Sequence, residues 1–429
     1  METFNINQID GGKTPDNSLS KYRRRVIALG FIGTAGCGLA YVAFQAQSSE
    51  IMSVAGLDSS YSGAMISMFY AGYILVLSFA SQFGERLGQI RLLLLGCTFN
   101  CLGVLCIAFA TSPVLLISGL ILAGMSQGLA LSGFGNVVMA AVPPEDQVRY
   151  SSFTQAFFSL SAFLAPLLIV RLLAGGIALK WFFVSVFVYY VALIVAILFV
   201  IPRHNDPFRL WGRQIIVTKD SKKTSASSLQ FLVCLRKFEF FLLSLAIMFY
   251  VAFEVIVAFY VGPYISDLGG SRELASLALS LFWVGLLAGR LIFSMFNVKL
   301  NQLTLAAAPV ATFIIAALML LVPNPVFVCV MTALVGLFSG PLWPMFLSLG
   351  RGLFLDMPTA AMSMMALTSG FTGVTFPPLL SLPNNPAQTL ILNLIPTLLL
   401  ALICLYLYFG RRQVVFHNAK ANDSTRKIS

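Results

Sequence analysis

Charged residues are scarce. Only 10% of the 429 residues are Asp, Glu, Lys or Arg, against about 25% in an ordinary soluble protein. Histidine is nearly absent: His204 and His417 are the two, both in polar stretches. That excludes a buried histidine-ligated metal and a histidine-based hydrolase. The seven cysteines (Cys37, Cys97, Cys101, Cys106, Cys234, Cys329, Cys404) fall in apolar runs or in the long basic connection, with no metal-ligand or disulfide spacing. No nucleophile–base set appears in the apolar runs, so an enzyme is not expected. Neither is a cofactor. The net charge of +11 is spread over short connections rather than one patch, which speaks against a nucleic-acid partner.

What fills the chain is hydrocarbon, with 58% hydrophobic residues, 37 Phe and a mean hydropathy of +0.88. Apolar runs lie at about 26–46, 61–83, 92–110, 114–141, 152–173 and 180–201, then 238–263, 273–296, 303–322, 326–350, 359–381 and 388–409. Each is long enough to cross the hydrocarbon core, which needs ~17–20 residues. The sequence therefore predicts an all-α membrane protein with twelve transmembrane helices in two six-helix bundles. The expected divisions are a tail 1–25, a first bundle 26–201, a central loop 202–237, a second bundle 238–409 and a tail 410–429. Lys21–Arg25 followed by an apolar run, with Thr34–Cys37 inside it, also fits a cleaved leader. The run continues past Cys37, however, so it reads as a retained first helix. Of the 27 Lys and Arg, 23 fall in the tails and alternate connections; the other set holds Arg171, Lys180 and Arg272. The positive-inside rule then puts both tails and the central loop in the cytoplasm. A multi-pass monomer of a bacterial inner membrane, with the lipid bilayer as its surroundings, is expected.

The halves repeat. Gly124 and Gly128 recur as Gly336 and Gly340, and Pro166-Leu-Leu as Pro378-Leu-Leu, at an offset of 212; Ser67–Gly72 (SMFYAG) matches Ser280–Gly285 (SLFWVG) at 213. Parallel six-helix repeats of this kind resemble the architecture of major facilitator transporters.

Two charges interrupt consecutive apolar runs, Glu254 in the seventh and Arg290 in the eighth. A charge near the bilayer centre costs roughly 2.5–3.5 kcal/mol on insertion scales. Such side chains turn away from lipid and line a polar route, or are satisfied by buried hydroxyls and carbonyls. Tyr250 precedes Glu254 by one turn on the same face. Trp283 and Arg290, seven apart, share a face as well. Counting ~1.5 Å per residue places Arg290 further toward the cytoplasm than Glu254, which speaks against a permanent salt bridge. Prolines 166, 341, 344, 377 and 378 free backbone carbonyls inside runs and kink them. Gly285-x-x-x-Gly289 permits close helix approach.

After the second run comes Ser81–Arg91 (SQFGERLGQIR). It resembles the short basic loop of the superfamily: Gly84, Glu85, Arg86, Gly88 and Arg91 form a candidate gating loop, with Glu85 where an aspartate is usual. A positive-inside loop with an incidental Glu is the plainer reading. The runs YVAFEVIVAFYVGPYI and LFWVGLLAGR resemble the seventh and eighth spans of the fucose–galactose–hexose permease group, GLFSGPLWPMFLSL its tenth and GFTGVTFPPLL its eleventh. GLALSGFGN, ending at Asn136, resembles part of its fourth. That resemblance implies a central cavity holding Glu254, Arg290 and Asn136, with Tyr250, Trp283 and Gln155 as further candidate solute contacts. The fucose–proton symporter layout has acids in spans one and four; here span one has none and Ser132 stands at the span-four position. Glu254 remains the candidate for ion coupling, with a proton or sodium as the ion. The resulting expectation is secondary active, ion-coupled uptake of a sugar or related small-molecule solute. Efflux of an amphipathic compound, and a receptor derived from a transporter, are the alternatives.

Overall fold

The computed structural model describes residues 17–143, 146–201, 208, 210, 236–295, 302–353, 358–383 and 385–410; within some of these helices the backbone alone is described. Apolar runs with no water to bond must satisfy their own amides, and every one of them is helical. The first group is α1 (Asn17–Ala46), the short α2 (Ser48–Val54), α3 (Ser62–Leu87), α4 (Gln89–Ala108), α5 (Pro113–Ser126), α6 (Ser132–Ala141), α7 (Gln147–Ala174) and α8 (Lys180–Val200). The second is α9 (Phe238–Asp267), α10 (Arg272–Met295), α11 (Gln302–Leu321), α12 (Pro325–Ser339), α13 (Leu342–Leu353), α14 (Pro358–Leu380), α15 (Pro386–Leu392) and α16 (Leu394–Gly410). Among the described residues, ten helical stretches are long and apolar enough to cross a membrane. The two other expected spans coincide with α3 and α14, helices of 26 and 23 residues whose side chains are described only in part.

Several boundaries differ from the sequence reading. The helix of the first span begins at Asn17, so Lys21–Arg25 ride on its early turns instead of preceding it. The fourth span is continuous but contains a π turn, Gln127–Leu131, joining α5 to α6. Pro341 divides the tenth into α12 and α13, and the twelfth is interrupted at Asn393, three residues before Pro396. A proline removes one N–H and crowds the preceding turn, which explains both divisions.

The internal repeat is visible in the packing. A Cβ on Gly124 would overlap the carbonyl oxygen of Phe69, and one on Gly336 would overlap that of Phe282. Phe69 and Phe282 are themselves 213 apart. Gly72 meets Ile121 O as Gly285 meets Ala333 O. The two helices carrying these glycines start alike, Ser112 capping before Pro113 and Asn324 before Pro325.

Between the groups, α3 packs on α14, α7 on α10, and α1 on α9. The seam is tight on the face away from the basic connections. There the Ser62 and Tyr260 hydroxyls are bonded at 2.7 Å, and Ser67 donates to Val374 O at 2.7 Å. Arg272 reaches across to Gln47 at 2.7 Å and pairs with Glu50. Phe44 meets Phe259 edge-on, with centroids 5.7 Å apart.

Candidate functional site

The seam holds the two unusual charges. Glu254 lies deep among the helices yet keeps some accessible surface. Asn393, at the break between α15 and α16, donates to the carbonyl of neighbouring Phe253 at 3.2 Å and so fixes this stretch of α9. Arg290 is only 9% exposed. Its Nη1 donates to the Ser159 hydroxyl of α7 at 2.8 Å, a bond between the groups, while its Nε has no partner among the described residues. Glu254 and Arg290 stand in each other's electric field, but no ion pair within 4 Å joins them among the described residues. The heights counted along the helices anticipate this separation.

Aromatic rings pack around them. Tyr41 of α1 bonds Tyr70 of α3, hydroxyl to hydroxyl, at 2.8 Å, and both lie within electrostatic reach of Glu254. Trp283 sits edge-on to Tyr41 and to Phe158 of α7, with centroids 6.1 and 5.8 Å away. On the other side Tyr250 is 6.2 Å from Trp343 of α13. The Tyr250 hydroxyl is close to both Glu254 and Arg290, without a bond of ordinary geometry to either. Both groups thus build the site: the first supplies rings and hydroxyls, the second supplies the charges and indole.

The sequence-predicted residues fare unequally. Tyr250, Glu254 and Arg290 come together, and Trp283 joins them through Tyr41. Gln155 is half-buried on α7, one turn before Ser159. Asn136 is exposed on α6, in a stripe with Ser132 and Ala140. Gly84, Glu85 and Arg86 belong to the last turns of α3 rather than to a loop, and the side chains of Glu85 and Arg86 lie outside the described residues. Gly88 does make the turn: its φ of 82° is left-handed, which glycine accepts at no steric cost. Arg91 is exposed on the first turn of α4.

Sequence reasoning missed Tyr41, Tyr70, Ser159 and Gln45. Gln45 lies beside the Tyr41 hydroxyl, is 4% exposed, and neither amide atom makes a hydrogen bond of ordinary geometry among the described residues. A signal existed. Tyr41–Gln45 reads YVAFQ and Tyr250–Glu254 reads YVAFE, at an offset of 209 rather than 212.

The profile described as Major Facilitator Superfamily matches residues 31–265 of the chain, more than half its length. A curated relative, "Probable anion transporter 6" of Oryza sativa subsp. japonica, is 29% identical over 153 residues, 35% of each chain; the match thus spans about a third of that relative. The solved E. coli fucose:proton symporter is 18% identical, with a TM-score of 0.63, over 93% of this chain and 100% of that one. A peptide transporter POT solved with sulfate is 16% identical, with a TM-score of 0.72, over 89% and 94%. These structural likenesses establish the fold.

Proposed function

We propose that this chain, which belongs to the Major Facilitator Superfamily, moves a small polar solute across the membrane by alternating access, with ion coupling at Glu254. The observation that carries the reading is the unpaired Glu254 and Arg290 in one aromatic cage walled by both groups. A buried carboxylate is costly without a counter-charge. A proton or sodium ion that neutralises Glu254 lowers the cost of closing water out, which ties ion entry to solute movement. Arg290, permanently charged, holds the solute, assisted by Tyr250 and Trp283, with Gln155 and Asn136 on the approach. The seam closed by Ser62–Tyr260 and Arg272–Glu50 is the gate on the far side; the basic side, cytoplasmic by its lysines and arginines, is where solute leaves.

In this reading the chain forms twelve spans in two six-helix bundles, residues 26–201 and 238–409, and works as a monomer in a bacterial inner membrane. Glu85 and Arg86 latch the cytoplasmic ends. The likeness to a fucose symporter supports a sugar; the printed name of the plant relative supports an anion. Export of an amphipathic compound is a second reading, which the aromatic lining favours. The test is purified protein in proteoliposomes, given a panel of labelled sugars and anions, with proton and sodium gradients imposed separately. Gradient-driven accumulation of a solute inside is the expected result. Absence of counterflow for every compound that binds would remove the transport reading. Cysteines placed at Asp58 and Ser225 test the orientation: an impermeant thiol reagent should label the first from outside and spare the second.

A further inference from the structure

We infer that the solute is an organic carboxylate with a flat apolar body, its head on Arg290 and its body among the rings; the inference rests on the transport reading above. Three buried polar atoms of the cage have no hydrogen-bond partner among the described residues: Arg290 Nε, Trp283 Nε1 and the Tyr250 hydroxyl. The first two can only donate. Donors left without acceptors at a solute site call for an acceptor-rich group. A guanidinium, protonated at every physiological pH, also calls for negative charge.

A neutral hexose would bring hydroxyls but leave Arg290 uncompensated. Glu254 acts on Arg290 only at a distance, with no ion pair between them among the described residues, and in the coupled cycle the ion neutralises it. A carboxylate matches the guanidinium edge in a two-pronged manner. The walls narrow the class further. Tyr41, Phe158 and Trp283 stand within 5.8–6.1 Å of one another, and the Tyr250–Trp343 pair faces the same charges. Inorganic phosphate or acetate would leave these ring faces unused. A ring or other flat hydrocarbon would stack on them or meet them edge-on.

The test is thermal melting of the purified detergent-solubilised protein with benzoate as probe, beside benzyl alcohol (ring without charge), acetate and inorganic phosphate (charge without ring) and L-fucose. Benzoate should raise the melting temperature at concentrations at least about tenfold below those of any control, the scale of a hydrogen bond to a charged group. Arg290→Gln should abolish the benzoate response while melting cooperatively on its own. If that variant does not fold, Arg290→Lys keeps the charge without the planar donors and should bind benzoate about tenfold more weakly. An equal response to benzyl alcohol, acetate, phosphate or fucose overturns the inference, as does no response to benzoate. The two failures are distinguishable: absence of counterflow for benzoate and for every other compound that binds would remove the transport reading, and this inference with it, whereas counterflow of a hexose without benzoate binding would sink this inference alone.

Discussion

Helices α1 and α9 carry nearly the same pentapeptide, YVAFQ and YVAFE, into the same cage, yet one ends in an amide and the other in a carboxylate. The pair α3 and α10 differs likewise. Tyr70 corresponds to Trp283, and Leu77 to Arg290, at the offset of 213 that aligns their serines and glycines. The repeat copies the scaffold: glycines against carbonyls, capped helix starts, rings at the seam. It does not copy charge. Both buried charges sit in the second group, and the first faces them with Tyr41, Tyr70 and Ser159. An unequal division suits a transporter, because a cavity charged on one wall can be neutralised by solute and ion without splitting a salt bridge at every turnover.

Making the halves more alike tests that division. The largest effect is expected for Glu254→Gln, which gives α9 the pentapeptide of α1. It should abolish uphill accumulation in proteoliposomes while exchange at equilibrium continues; wild-type accumulation ratios would show that the carboxylate is structural. Next, Arg290→Leu installs the residue of position 77. Solute half-saturation should rise about 100-fold, the upper range for a lost hydrogen bond to a charged group; an unchanged value would remove Arg290 from the binding site.

Gly124→Ala and Gly336→Ala probe the shared scaffold instead. Each puts a methyl against a backbone carbonyl, so each should destabilise by about 1–3 kcal/mol, read as a lower melting temperature. A marked inequality would break the packing equivalence. The smallest effect is expected for Gln45→Leu. Removing a buried amide with no partner should leave stability unchanged or raise it by about 1 kcal/mol; a large loss would reveal a partner for Gln45.

The spans were legible because their signal is one-dimensional, a run of hydrocarbon matched to a bilayer. Glu254 and Arg290 were legible because charge inside such a run is rare, and Trp283 joined Arg290 by helical spacing. Tyr41, Tyr70 and Ser159 were not. Tyrosine and serine are common in apolar helices, and which of them meet across two groups depends on packing between distant segments. Gln45 hid behind a shift of register, since its pentapeptide repeats at 209 while its neighbours repeat at 212 and 213. Gly84–Arg86 looked like a loop by polarity. Glu and Arg are good helix formers, and α3 runs through them to Leu87.

Ser67 closes the seam by donating to the carbonyl of Val374. That oxygen is free because Pro378, four residues on, has no N–H to offer it. The contact is therefore inherited through a residue that takes no part in it. The acceptor is backbone and comes with any residue at 374, whereas a non-proline residue at 378 would bring an amide to compete with Ser67 for it. The seam thus depends on a proline one turn away as well as on the two residues that touch.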